Sequence, residues 1–315
     1  MNETNIDSGK ADLSVTIAGV RFRNPVIAAS GTFGYGAEYS SLIDVPVLGG
    51  ICTKGLTLTP RKGNKGIRLW ETPAGMMNSI GLENPGIPAF LEKELPQLKK
   101  LGTVVIANLS GSSSDDYIKG AELLNDSSVD MIELNISCPN VKAGGMAFGL
   151  DPGTAAALVA AVRRACTNKP LIVKLSPNAP AIGAVAIACV NAGADALSLI
   201  NTISAIAIDI ENRKPVFDYI RAGLSGPAIK PIALRIVWEL FETLKESGLQ
   251  VPIIGIGGIT NTEDALEFLM AGAIAIQVGS ATFARPQTMT EIIAGLNQHM
   301  IKNNMTAIKE ISIRE

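Results

Sequence analysis

The chain has 315 residues, with 27 basic against 29 acidic side chains and a formal net charge of −2. That balance excludes the basic footprint of a nucleic-acid-binding protein or a polybasic membrane anchor. Hydrophobic residues make up 47% and aromatics only 4%, and this Ala-, Ile-, Leu-, Val- and Gly-rich mixture suits parallel strands packed against helices.

Residues 1–10 are polar and read as neither a signal peptide nor an anchor. No uninterrupted apolar run is long enough to cross a bilayer, so the expected address is the cytoplasm. The cysteines are Cys52, Cys138, Cys166 and Cys189. None forms a C-x-x-C pair, and the spacing fits neither zinc nor iron–sulfur ligation. No metal centre of the chain's own is expected.

In chain order, residues 13–17, Gly19 and 20–22 read as a hairpin placed to close the bottom of a barrel. Apolar, β-branched runs then alternate with helical periodicity. Strands are predicted over 25–29, 50–53, 104–108, 131–135, 171–174, 196–200, 252–255 and 274–278. Helices are predicted over 87–100, 115–124, 153–166, 182–192, 231–247 and 262–271. Eight β/α units predict an α/β fold, a (β/α)8 TIM barrel with right-handed crossovers. One domain is expected over 1–315, with terminal extensions at about 1–12 and 300–315.

Each strand exits into polar or glycine residues: Ser30-Gly31, Lys54-Gly55, Asn108, Asn135, Lys174, Asn201-Thr202, Gly257-Gly258 and Gly279-Ser280. In a barrel these all converge on the C-terminal mouth, where such folds carry their chemistry. One Asn at a strand end often makes only a turn. Three Asn, two Lys and two glycine turns on one rim point to a ligand site.

Gly257, Gly258, Gly279 and Ser280, at the ends of strands seven and eight, suit a phosphate, because glycine lets backbone N–H groups approach an anion. Gly226 offers a further close approach. The plain alternative is tight βα turns, since a short glycine pattern is a weak motif. Lys174 reads either as a cation beside an anionic flavin ring or as a Schiff-base lysine. Lys54 faces a ligand or pairs with a rim carboxylate.

The fourth strand runs into Asn135-Ile136-Ser137-Cys138-Pro139-Asn140. Asparagine addresses planar polar ligands with paired donors and acceptors, and a partly exposed thiol acts as a base once ionised. Residues 141–149 are glycine-rich enough to move as a lid. The alternative is a capping turn around a buried structural cysteine.

Residues 29–36 (Ala-Ser-Gly-Thr-Phe-Gly-Tyr-Gly), 77–86 (Met-Asn-Ser-Ile-Gly-Leu-Glu-Asn-Pro-Gly), 135–140, 223–230 and 254–259 together resemble the class 1 dihydroorotate dehydrogenases. The resemblance runs from Val15 to Phe283. Cysteine at 138 distinguishes this class from the membrane-associated class 2 enzymes, which carry serine there. The segment 141–149 resembles class 1B rather than the fumarate-using class 1A.

The resemblance implies FMN at the mouth, one per chain. Its phosphate would meet Gly226, Gly257, Gly258, Gly279 and Ser280. Lys174 would stabilise negative charge on the reduced ring, Asn108 and Asn135 would hydrogen-bond it, and Thr32, Lys54, Gly55 and Ile200 would line the site. Dihydroorotate would be held by Lys54, Asn78, Asn135, Asn140, Asn201 and Thr202, with the backbone of Ser79, Ile80, Gly81 and Leu82. Cys138 would be the catalytic base. Class 1B also implies a partner subunit carrying FAD and a 2Fe–2S cluster, electrons passing to NAD, and a homodimer of this chain within a heterotetramer. Class 1A and a dihydropyrimidine dehydrogenase-like barrel are the nearest rivals. Asn140 and Lys54 suit the orotate carboxylate. A flavin-free Lys174 aldolase, a phosphosugar isomerase and a non-catalytic binding barrel are the readings from other classes.

Overall fold

The computed structural model describes residues 11–137 and 148–314. Eight parallel strands close into a barrel: Val26–Ala28, Gly50–Cys52, Val104–Leu109, Met131–Asn135, Leu171–Lys174, Ala196–Leu199, Ile253–Ile256 and Ala275–Val278. Each pairs with the next, and the last returns to the first with Ile276 opposite Val26. All eight lie where the periodicity predicts them. A strand covered by helices outside and by other strands inside has no solvent face, so it reads as an apolar run instead of an alternation. Leu171–Lys174 and Ala196–Leu199 are buried throughout.

Side-chain caps start three of the helices. Ser113 accepts from Asp116 N ahead of Ser114–Asn125, Asp151 from Thr154 N ahead of Pro152–Ala165, and Asn261 from Asp264 N ahead of Thr262–Met270. The helix predicted over 87–100 is interrupted by a π turn at Phe90–Glu94, between Ile87–Ala89 and Leu95–Lys100. Pro96 has no N–H to continue the α ladder, which accounts for a local change of winding there.

The predicted hairpin pairs Val15–Ile17 with Val20–Phe22. Its turn residues Ala18 and Gly19 both have positive φ, as a tight two-residue hairpin requires. Phe22 packs against Gly50, at the N-terminal end of a barrel strand, so the hairpin lies under the barrel.

One element escapes the sequence pattern. Ile203–Ile206, Arg221–Ser225, Gly75–Asn78 and Leu69–Thr72 form a four-stranded antiparallel sheet that links the excursions after strands two and six. Beyond the barrel, Thr288–Lys302 buries Met289, Ile292, Leu296 and Met300. Ile308 and Ile311 are buried in the same core, and the Arg314 guanidinium lies 3.5 Å from the Trp238 ring centroid. Among the described residues, no helix is long and apolar enough to cross a membrane.

Candidate active site at the barrel mouth

Six barrel strands send polar side chains into one buried cluster. Glu133, from the fourth strand, is fully buried. Its Oε1 accepts from Asn108 Nδ2 at 2.7 Å and from Cys52 Sγ at 3.2 Å. Its Oε2 accepts from Ser198 Oγ at 2.8 Å and Gln277 Nε2 at 2.7 Å. Lys174 Nζ lies 3.6 Å from Glu133 Oε1 and donates to Ser30 Oγ at 3.1 Å. A buried charge survives only when paired and hydrogen-bonded, and this one is both.

Burial alone pushes the Glu133 carboxyl up. The Lys174 charge and the donors Gln277, Ser198 and Cys52 outweigh it and hold the group below the usual carboxylate range. Burial, reinforced by the Glu133 carboxylate, pushes the Cys52 thiol well above its ordinary value, so it remains a donor. In the sequence Glu133 sits inside an apolar run and no strand-end pattern singles it out. The signal that could have found it is the lone carboxylate itself, which in a strand buried on both faces demands partners.

Asn108 is also fully buried, and its Oδ1 has no hydrogen-bond partner in the described protein. A Cβ built at Gly55 would lie 3.1 Å from that oxygen, and 3.1 Å from Leu82 Cδ2. Asn108, Gly55 and Leu82 therefore meet just past the second strand, where an acceptor stands unused.

The amides of the rim form a second group. Asn135 Oδ1 accepts from Asn201 Nδ2 at 3.1 Å and Ser137 N at 3.3 Å, and Asn201 Oδ1 accepts from Thr202 N at 2.8 Å. Asn78 Nδ2 donates to Gly223 O at 3.2 Å, and Thr202 packs on Gly223. The antiparallel sheet thus brings Asn78 to the same rim as the strand-six residues. Ser79 N donates to Arg68 O and Asn64 N donates to Ile80 O, while Gly81 has φ +75° against Asn64.

Lys54 lines a cavity of about 560 Å³ with Tyr35, Arg61 and Glu83. Burial pushes its ammonium pKa down, opposed by Glu83 and reinforced by Arg68. Cys138, Asn140 and residues 141–147 lie outside the described residues. On either side, Asn135 O accepts from Tyr117 OH, Phe148 packs edge-on against the Tyr117 ring, and Gly149 N donates to Ile136 O.

The glycine turns divide into two kinds. Gly257 and Gly258 have φ +131° and +72°, and Gly226 has φ +98°. A Cβ at Gly258 would sit 2.8 Å from Lys230 N and 2.9 Å from Gly226 O, and one at Gly226 would sit 2.7 Å from Gly75 Cα. The fold itself demands glycine at these positions. Ile200 packs beside Gly257. Gly279 is different. Among the described residues, a Cβ there would meet Ala29 Cβ at 3.6 Å and Thr32 side-chain atoms at 3.8 Å, which is ordinary contact. Packing of the described residues does not account for that glycine. Ser280 follows it and precedes the short helix Ala281–Ala284.

A family profile described as dihydroorotate dehydrogenase matches residues 12–300, which takes in the whole barrel and its mouth. The chain belongs to the dihydroorotate dehydrogenase family. It is 56% identical over 300 residues to a protein of Petrotoga mobilis, covering 95% of this chain and 98% of that one. It is 52% identical to relatives from Geotalea daltonii, over 303 residues, and Caldicellulosiruptor bescii, over 300. These alignments cover 96% and 95% of this chain and 97% and 98% of the relatives. Each relative is named dihydroorotate dehydrogenase B (NAD(+)), catalytic subunit. For a dihydroorotate dehydrogenase, the convergence of Lys174, Asn108 and the asparagine rim at one mouth is a chemically apt arrangement: a cation and an orphan acceptor stand close to amides suited to a planar, polar ring.

Proposed function

We propose that this chain is the cytoplasmic, FMN-binding catalytic subunit of a class 1B dihydroorotate dehydrogenase. It oxidises (S)-dihydroorotate to orotate in pyrimidine biosynthesis. The observation that carries the reading is the buried Lys174–Glu133–Asn108 centre at the C-terminal end of the barrel. Three features favour FMN there. Lys174 offers positive charge to an anionic ring, and among the described residues Asn108 Oδ1 is an unused acceptor and Gly279 a glycine without a packing reason.

In this reading Gly226, Gly257, Gly258, Gly279 and Ser280 hold the phosphate. Asn108, Asn135 and Lys174 address the ring, with Thr32, Gly55 and Ile200 lining the site. Lys54, Asn78, Asn135, Asn140, Asn201 and Thr202 hold dihydroorotate, together with the backbone of 79–82. Fixing the substrate in one orientation is itself a large part of the catalysis. Dihydroorotate loses a proton from C5 and a hydride from C6. Cys138 Sγ takes the C5 proton as thiolate. Bound FMN supplies the acceptor for the hydride.

The electrons then pass to NAD through a partner subunit that holds FAD and a 2Fe–2S cluster, with this chain as a homodimer inside a heterotetramer. The catalytic-subunit names of its relatives support that arrangement. The test is direct. Denaturing the purified chain should release about one equivalent of FMN, as one barrel mouth offers one such site. The chain alone should oxidise dihydroorotate with artificial dyes but not with NAD, and adding the partner should confer NAD reduction. Release of FAD would overturn the cofactor assignment. Efficient fumarate reduction would move the chain to class 1A.

A pair of glycine substitutions separates ligand from fold. Gly279→Ala should leave thermal stability near wild type and weaken FMN binding at least ~10-fold, because the new methyl has room in the protein but not beneath a phosphate. Gly258→Ala should destabilise the protein with or without FMN, by about 1–3 kcal/mol, because it combines positive φ with a backbone clash. Unchanged FMN affinity in Gly279→Ala, read by fluorescence titration, would remove residue 279 from the phosphate site.

A further inference from the structure

We propose that Glu133 is a positioning residue that presets both the charge and the hydrogen-bond polarity of the flavin site. The inference rests on the FMN reading of the mouth and adds a residue from the layer beneath it. Glu133 is fully buried, one layer below the mouth. It sits under the rim and touches the two groups that would face the ring.

Its first effect is on Asn108. An asparagine amide can present either its oxygen or its NH2 to a ligand. Glu133 Oε1 accepts no amide oxygen, only a donor, and it takes Asn108 Nδ2 at 2.7 Å. The Oδ1 is left over beside Gly55, buried and without a partner among the described residues. Asn108 is thus committed to accepting a hydrogen bond from a ring N–H rather than donating to a ring carbonyl. Leaving a buried acceptor unsatisfied is costly, so the commitment has a purpose only if a ligand donor completes it.

Its second effect is on Lys174. A lone ammonium buried to this degree would present a full positive charge to anything bound above it. Glu133, 3.6 Å away and below its usual pKa range, balances that charge. The pair contributes little net charge to the mouth but a strong local dipole, positive toward Ser30. The donors Ser198 and Gln277 grip Oε2, so the carboxylate cannot swing to leave either partner. Among the described residues Gln277 Oε1 and Asn108 Oδ1 have no hydrogen-bond partner, while each Glu133 oxygen is used twice or more, which marks the carboxylate as the fixed point of the cluster.

The experiment uses the flavin-loaded protein and reads the flavin itself. Glu133→Gln is nearly isosteric but removes one negative charge and can offer an NH2 to Asn108. The two-electron midpoint potential of its bound FMN should rise relative to wild type, because negative charge on the reduced ring is then opposed by a less neutralised Lys174. FMN affinity should fall at least ~10-fold as the Asn108 amide loses its fixed orientation. An unchanged or lowered potential in flavin-loaded Glu133→Gln overturns the proposal, whatever happens to its melting temperature. Glu133→Asp serves if Glu133→Gln does not fold. It keeps the charge but is one methylene too short to hold every partner. Its potential should stay near wild type while FMN affinity falls at least ~5-fold. Wild-type affinity in Glu133→Asp also overturns the proposal. Absence of FMN from the wild-type protein is a separate outcome, which defeats the functional reading instead.

Discussion

Cys138→Ala is expected to retain FMN and to slow flavin reduction by dihydroorotate at least ~100-fold, the usual loss when a positioned base is removed. The residue follows the fourth strand, where Asn135 and Ser137 are already tied to Asn201 and to the end of the fifth strand. A thiol has an ordinary pKa of about 8.5 and is useful as a base only when ionised. Cys138→Ser should therefore keep a small residual rate that grows with pH, since a hydroxyl ionises less readily. Stopped-flow reduction of bound FMN isolates this step from reoxidation by any acceptor. Wild-type rates in Cys138→Ala would show that the proton leaves by another route.

Lys174→Met is expected to destabilise the protein by about 3 kcal/mol at neutral pH, the cost of stranding a buried carboxylate by deleting its counter-ion. Methionine keeps the length and apolar stem of lysine, so packing changes little. In the wild-type protein the Glu133 carboxyl is held below its usual range. Its contribution is therefore present above the unfolded carboxylate pKa of about 4.3 and is lost as pH falls through the lower folded value. In the variant the sign reverses. Burial without Lys174 raises the folded pKa, so the penalty is largest near neutrality and shrinks as acid protonates Glu133. Urea unfolding of flavin-free protein at pH 8 and at pH 5.5 would expose the difference, with the wild-type-to-variant gap narrower at pH 5.5. A gap that is the same at both pH values would mean that Glu133 does not depend on Lys174 for its charge.

The barrel was legible because its cause is local. A parallel strand covered on both faces must be apolar along its length, and Leu171–Ile172–Val173 or Ile253–Ile254 carry that requirement in consecutive residues. The chain leaves each strand at a residue that need not be apolar, so Lys54, Asn108, Asn135, Lys174 and Asn201 stand out against their runs. Barrel closure then gathers strand ends onto one mouth whatever the loops between them do. The family motifs are likewise contiguous stretches, and the profile match over 12–300 agrees with the resemblance read from them.

What only the tertiary structure decided involves residues far apart in the chain. Glu133 meets Cys52, Ser198 and Gln277 across separations of 81, 65 and 144 positions. No local pattern announces such a partner, because the pairing is set by the barrel's closure and by which side chains share its interior. The antiparallel sheet that carries Asn78 to the rim was hidden for the same reason. Its strands are short, and Leu69, Trp70 and Ile206 remain exposed, so no burial periodicity marks them. The glycines show the division most plainly. Gly258 and Gly279 look alike in the sequence, each at the end of a barrel strand. Only the packed chain separates them: Lys230 and Gly226 crowd the first, while a methyl group at the second would make only ordinary contact with the described residues Ala29 and Thr32, because steric demand belongs to neighbours that folding brings together.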